Sequence, residues 1–248
     1  MKFRSMNDLY LWLYEYKNFC LGSGAQGTCY KVGNKVFKIF NEYVDRDYLD
    51  DEMVYSKSEI LRFSYVNNNT YIFPTDVIMV DDIVVGYVMS YVSGKTIDKI
   101  NPLFVDLDRF ALDLEKVYSD VKILSALGIR SFDVVYNIMY GFDWFKIIDT
   151  MDYNYSSEDF DNLFEINKKA FNIGIELFLI DGYFDDFIKT SKYLSDMYKS
   201  FNADICYFFS EFRKALSMNE GNKISKLCDA KKSLVLKPRD ERIFINFK

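Results

Sequence analysis

Residues 21–40 read LGSGAQGTCYKVGNKVFKIF. Gly22, Gly24 and Gly27 form a GxGxxG run, a spacing that lets backbone N–H groups approach phosphate oxygens with no side chain in the way. Lys38, inside VFKIF, offers a positive charge to the same oxygens. The same run of glycines opens dinucleotide-binding folds, but there the last glycine begins a helix. Here TCYKV, the turn pair Gly33-Asn34 and KVFKIF follow it, and two β-prone runs about a tight turn predict a hairpin. The apolar flanks Val36, Phe37, Ile39 and Phe40 also predict that Lys38 is buried, where an unpaired ammonium would be costly. Lys38 therefore needs an acidic partner.

Four further segments follow in order. Residues 86–98 read GYVMSYVSGKTID. Beyond them Leu107, Phe110, Leu114, Val117, Val121 and Leu124 recur every three to four residues and Gly128 follows as a stop, which predicts a long buried helix. Residues 131–141 read SFDVVYNIMYG, and residues 145–153 read FKIIDTMDY. Together with the glycine hairpin these segments resemble the protein-kinase-like superfamily, which includes eukaryotic-type protein kinases and small-molecule kinases such as the aminoglycoside phosphotransferases. The resemblance spans about residues 17 to 153.

The resemblance implies an α+β, two-lobed protein-kinase-like fold, with a small β-rich N-lobe carrying one main helix and a helical C-lobe. The expected organisation is an N-terminal helical extension at 1–16, the N-lobe at 17–92 and the C-lobe at 93–248. It implies ATP and Mg²⁺ as cofactors, with Gly22, Gly24, Gly27 and Lys38 on the phosphates. Met89 takes the gatekeeper position, and Ser90 to Val92 offer backbone groups to adenine. Glu59 is expected to pair with Lys38, with Ile60, Phe63 and Val66 as its buried flank; Glu52, fourteen residues after Lys38 rather than twenty-one, is the alternative. Asp133 would be the base for the acceptor hydroxyl, and Asn137 and Asp149 the oxygen ligands of the metal.

The chain departs from the family's pattern at the loop that carries Asp133. Three residues, not four, separate Asp133 from Asn137, SFD replaces HRD, and the chain contains no histidine. DTM stands where DFG is usual. No APE-type motif follows Asp149, so an activation segment would have to fit between Asp149 and Ser156. The lost arginine removes the usual counter-charge for a phosphorylated loop. The resemblance thus implies γ-phosphate transfer to a Ser/Thr hydroxyl of a protein, with an ATP-binding pseudokinase or a small-molecule kinase as alternatives.

Composition narrows the rest. Half of the 248 residues are apolar, enough for a substantial core. Cys20, Cys29, Cys206 and Cys228 form no CxxC pair, which with the absence of histidine speaks against a structural zinc site or disulfide framework. Thirty-seven acidic against 31 basic side chains leave a net charge of −6, which argues against general nucleic-acid binding. No segment approaches eighteen uninterrupted apolar residues, so no membrane partner is expected and the reading is of a soluble, cytoplasmic protein. Ser5-x-x-Asp8 predicts a capped helix over 5–16, and Ser156 a cap for a helix presenting Phe160, Leu163, Phe164, Ile166, Phe171 and Leu177.

Overall fold

The computed structural model describes residues 1–44, 55–141, 145–177, 188, 191–199 and 205–233. The chain divides into two compact units, one of Met1–Asn67, Ile72–Val92 and Asp149–Met151, the other of Asn68–Tyr71, Ser93–Ile148 and Asp152–Lys248. The class is α+β: the first unit is built on a sheet, the second mainly on helices.

The first unit holds a six-stranded sheet in the order β1-β5-β6-β4-β3-β2. Its strands are β1 (Lys2–Phe3), β2 (Cys20–Ser23), β3 (Gly27–Val32), β4 (Lys35–Phe40), β5 (Asp76–Val80) and β6 (Ile83–Ser90). The hairpin joining β3 to β4 turns at Gly33, whose φ of 60° is open to glycine and strained for most other residues. β1 adds a parallel strand beside β5, an element too short to leave a period in the sequence.

The side chains of β4 alternate between two cores. Ile39 joins Leu9, Leu13, Tyr30 and Val88 on one face, with Phe37 packed against that cluster. Val36 and Phe40 join Ile60, Val77, Tyr87, Met89 and Met151 on the other. The first face is covered by α1 (Met6–Tyr16), capped as expected by the Ser5 hydroxyl, which accepts the Asp8 N–H at 3.2 Å. Trp12 on α1 packs against Phe37, with ring centroids 5.3 Å apart. Each fully buried apolar side chain here contributes roughly 1.5–3 kcal/mol.

In the second unit α3 (Leu107–Ala126) buries all six of the expected apolar positions and ends before Gly128, at φ 71°. It packs with α4 (Phe160–Ile175) and with the last described helix, Ile205–Glu220. Phe110 is the centre of an aromatic core, with ring centroids 5.2 Å from Phe145 and 5.0 Å from Phe209. Short strands β7 (Lys95–Thr96), β9 (Ile138–Tyr140) and β10 (Lys146–Ile147) form a three-stranded sheet. Strands β8 (Ile129–Arg130) and β11 (Asn154–Tyr155) pair separately.

α4 departs from its expected pattern. Asp159, not Ser156, caps it, accepting the Asn162 N–H at 2.9 Å. Phe160 is exposed, while Asn167 and Asn172 are fully buried. An apolar count along this helix misses both: Asn167 is buried with both ends of its amide hydrogen-bonded, and Asn172 Oδ1 accepts the Tyr118 hydroxyl at 2.8 Å.

Candidate functional site

Lys38 sits mid-strand on the face of β4 shared by Val36 and Phe40, and is only 5% exposed. Its Nζ lies 2.5 Å from Asp149 Oδ1 and donates to Gln26 Oε1 at 3.0 Å. The Tyr87 hydroxyl donates to the same Asp149 oxygen at 3.1 Å, and the Lys38 ammonium is 5.6 Å from the centre of the Tyr87 ring. The buried ammonium thus has a full counter-charge and an amide oxygen, the two requirements for burying it at all. Asp149 adopts a left-handed backbone, φ 58°, and its side chain stays 34% exposed. Thr150, next in the chain, is buried and donates to the Ile72 carbonyl at 2.9 Å, which fixes the turn that presents Asp149.

Glu59 is not the partner of Lys38. It occupies the third position of α2 (Lys57–Ile60), where its carboxylate accepts the Ser56 N–H at 2.7 Å while the Ser56 hydroxyl accepts the Glu59 N–H at 3.2 Å. That reciprocal capping box turns the side chain into solvent, and these hydrogen bonds hold its carboxyl below the usual range. Of the expected flank, Ile60 and Phe63 are buried and Val66 is half-buried, while the carboxylate points the other way. Glu52 lies outside the described residues.

The glycine turn closes on itself: the Gly24 N–H donates to the Gly27 carbonyl at 2.9 Å. Asn41 Nδ2 donates to the carbonyls of Gly24 and Ala25 at 2.9 and 2.8 Å, holding oxygens that would repel a phosphate on its own side of the turn. Gly22 has φ 154° and Gly24 has open space around it. Gly27 has a different role: a Cβ there would stand 2.5 Å from the Ile39 carbonyl oxygen. On the other side of β4, a Cβ on Gly86 would stand 2.2 Å from the Lys38 carbonyl oxygen. The strand that carries Lys38 is therefore flanked by a glycine on each neighbour.

Cys29 is the cross-strand partner of Lys38. Burial pushes its thiol up to about 11 against the pull of the Lys38 charge, so it is a neutral, poorly nucleophilic group at pH 7. Met89 is buried opposite Val36 on β6, Ser90 is exposed and Val92 half-buried. The Tyr91 N–H between them is taken by the Asn34 carbonyl at 2.9 Å.

Asp133 and Asn137 belong to the second unit. Asp133 is exposed with a left-handed backbone, φ 47°. Asn137, half-buried, donates from Nδ2 to the Asp133 carbonyl at 2.7 Å and to its Oδ2 at 3.3 Å, closing the loop. The loop is anchored from beneath by Asn167. Its Oδ1 accepts the Ser131 N–H and hydroxyl at 2.8 and 2.9 Å, and its Nδ2 donates to the Ser125 hydroxyl and the Ile129 carbonyl at 3.1 and 2.9 Å.

Gln26, Asn41, Tyr87, Gly86 and Asn167 were not singled out from sequence. Gln26 lies inside the glycine run itself, and an asparagine on the buried face of a helix is a signal that Asn167 carries openly. Asp149 in the first unit and Asn137 in the second each carry hard oxygens, the donor type that suits Mg²⁺. Among the described residues no three His, Cys, Asp or Glu side chains cluster as a self-sufficient metal site, and no helix is long and apolar enough to cross a membrane.

No family model and no curated protein matches the chain. Among solved structures it is similar to the PknI kinase domain of Mycobacterium tuberculosis, at 15% identity and a TM-score of 0.46, over 81% of this chain and 93% of that one. A unit built on a sheet with a glycine hairpin and a second, mainly helical unit give the α+β class expected from the sequence.

Proposed function

We propose that the chain is an ATP- and Mg²⁺-dependent phosphotransferase whose acceptor is a Ser/Thr hydroxyl of a protein. The observation that carries this reading is the buried Lys38–Asp149 pair beside the glycine turn, all within the first unit. A strand-borne ammonium is costly to bury, and a carboxylate held in a left-handed turn adds strain. Both serve a site that meets the negative charge of a polyphosphate. Lys38 would engage phosphate oxygens, and Asp149, sharing its Oδ1 with Lys38 and Tyr87, would turn its second oxygen to the metal. Bound Mg²⁺ would neutralise the charge that builds on the transferred group.

With the Tyr91 N–H committed, the adenine edge is left to the backbone of Ser90 and Val92, beside Met89. Asn137, its Nδ2 spent on Asp133, would offer its amide oxygen as a metal ligand. Asp133 would orient the acceptor hydroxyl and take its proton. Transfer of radiolabel from γ-labelled ATP to the protein itself or to a generic protein tests this directly. Asp133→Ala is expected to abolish transfer with nucleotide affinity nearly unchanged; equal rates for both proteins would remove Asp133 from the mechanism.

A second reading is favoured by one observation, the three-residue interval between Asp133 and Asn137. A base displaced by about 1 Å loses roughly 100-fold in rate, so a chain that binds nucleotide without turnover, a pseudokinase, is what the same assay would reveal if wild type transferred nothing. Transfer only to a small-molecule panel would instead identify a small-molecule kinase.

A further inference from the structure

The second unit contains a hollow of about 630 Å³ that the phosphotransferase reading does not use. Its floor is the close approach of residues 93–95 to residues 140–141. A Cβ on Gly94 would stand 2.9 Å from the Tyr140 carbonyl oxygen, and one on Gly141 2.6 Å from that of Ser93. The two glycines let the backbones meet and leave the space above them open. The volume falls within the range of small-molecule sites.

Its chemistry is uneven in a specific way. The chain as a whole carries a charge of −6, yet the hollow is lined by Lys95, Lys99 and Arg109 against the single carboxylate Asp106. Asp106 is already engaged as the cap of α3, accepting the Arg109 N–H at 2.9 Å. Lys95 and Lys99 are exposed and form no ion pair among the described residues. Arg109 is steadied from behind by the buried Asp113, 3.5 Å from its Nε. Apolar surface stands beside these cations: Phe104 is 64% exposed, and the Tyr140 ring is fixed by Phe145, with centroids 4.5 Å apart.

We propose that this hollow binds a small anionic molecule with an aromatic body, the carboxylate or phosphate meeting Lys95, Lys99 and Arg109 and the ring lying against Phe104 and Tyr140. Lys95 and Lys99, which form no ion pair among the described residues, favour an anion through charge-assisted hydrogen bonds, and an exposed phenyl ring beside them favours a flat apolar portion over a bare ion. All of the lining residues belong to the second unit, whereas Lys38 and Asp149 belong to the first. None of the lining residues is offered to the nucleotide, the metal or the acceptor, so the two proposals are tested separately.

Titration calorimetry of the full chain with phenyl phosphate and with benzoate tests it, using inorganic phosphate and benzyl alcohol as the anion and the ring alone. At least one of the two aryl anions is expected to bind about tenfold more tightly than either part, and the stronger of them identifies the head group. Lys95→Gln/Lys99→Gln should weaken that binding about tenfold or more, Lys95→Arg/Lys99→Arg should restore it, and Phe104→Ala should bring the aryl anion down to the level of inorganic phosphate. Lys38→Met should leave it unchanged, which separates this site from the nucleotide site. No binding of either aryl anion, binding insensitive to the double glutamine variant, or binding lost in Lys38→Met would overturn the proposal.

Discussion

The two clusters of candidate site residues are held by opposite means. In the first unit the charge itself is buried: Lys38 is 5% exposed and is balanced by Asp149 and Gln26. In the second unit the candidate groups are more open and the support is buried: Asp133 is exposed and Asn137 half-buried, while Asn167, fully buried, ties down the backbone of their loop. One cluster places a charge through sheet register; the other places a loop through a neutral hydrogen-bond network. They should therefore fail differently.

The largest effect is expected at Asn167. Asn167→Leu keeps the volume but strands the Ser131 N–H and hydroxyl, the Ser125 hydroxyl and the Ile129 carbonyl, so urea unfolding should show a loss of about 3–4 kcal/mol. A loss near zero would mean that the loop is supported elsewhere and would break the contrast. Next comes Asp149→Ala, which leaves the buried Lys38 ammonium with Gln26 alone. Because Asp149 is partly exposed, the cost is expected at about 2 kcal/mol, below that of a fully buried pair. Lys38→Met, which removes the buried charge instead of orphaning it, should be close to neutral in stability. The asymmetry between these two variants sharpens the comparison, since an exposed ion pair would show none.

The smallest effect is expected at Glu59. Its folded-state carboxyl is held below the ordinary value, so its contribution is present above the unfolded-state pKa and is lost as the pH falls through the folded one. Glu59→Gln should lower the melting temperature slightly at neutral pH, with the difference closing in acid. Nucleotide affinity should not change. A large loss of affinity would return Glu59 to the site.

These expectations also mark what the sequence discloses. The hairpin, the burial of Lys38 and the full length of α3 are legible because periods of two and 3.6 residues are local properties. The identity of the Lys38 counter-charge is not, because Asp149 is 111 residues away in the chain and nothing local distinguishes one carboxylate from another. For Glu59 a local signal is present: Ser56-x-x-Glu59 is a capping-box signature, and the box engages that carboxylate at the helix start. Tyr87 reads as one more apolar strand residue, and only its hydroxyl, 3.1 Å from Asp149, discloses its second role. Gly86 shows no pattern at all until β4 is placed beside it.

The central claim, that Lys38 and Asp149 form a site for the phosphates of Mg·ATP, is tested most directly by thermal denaturation of wild type and Lys38→Met across a titration of Mg·ATP. A ligand that binds only the folded state stabilises it by about 2.7 kcal/mol at a hundred times its Kd. Wild type should therefore show a rising melting temperature, and Lys38→Met, folded and of similar stability without ligand, should show little or none. An unchanged wild-type melting temperature at millimolar Mg·ATP, or an equal rise in both proteins, would contradict the claim.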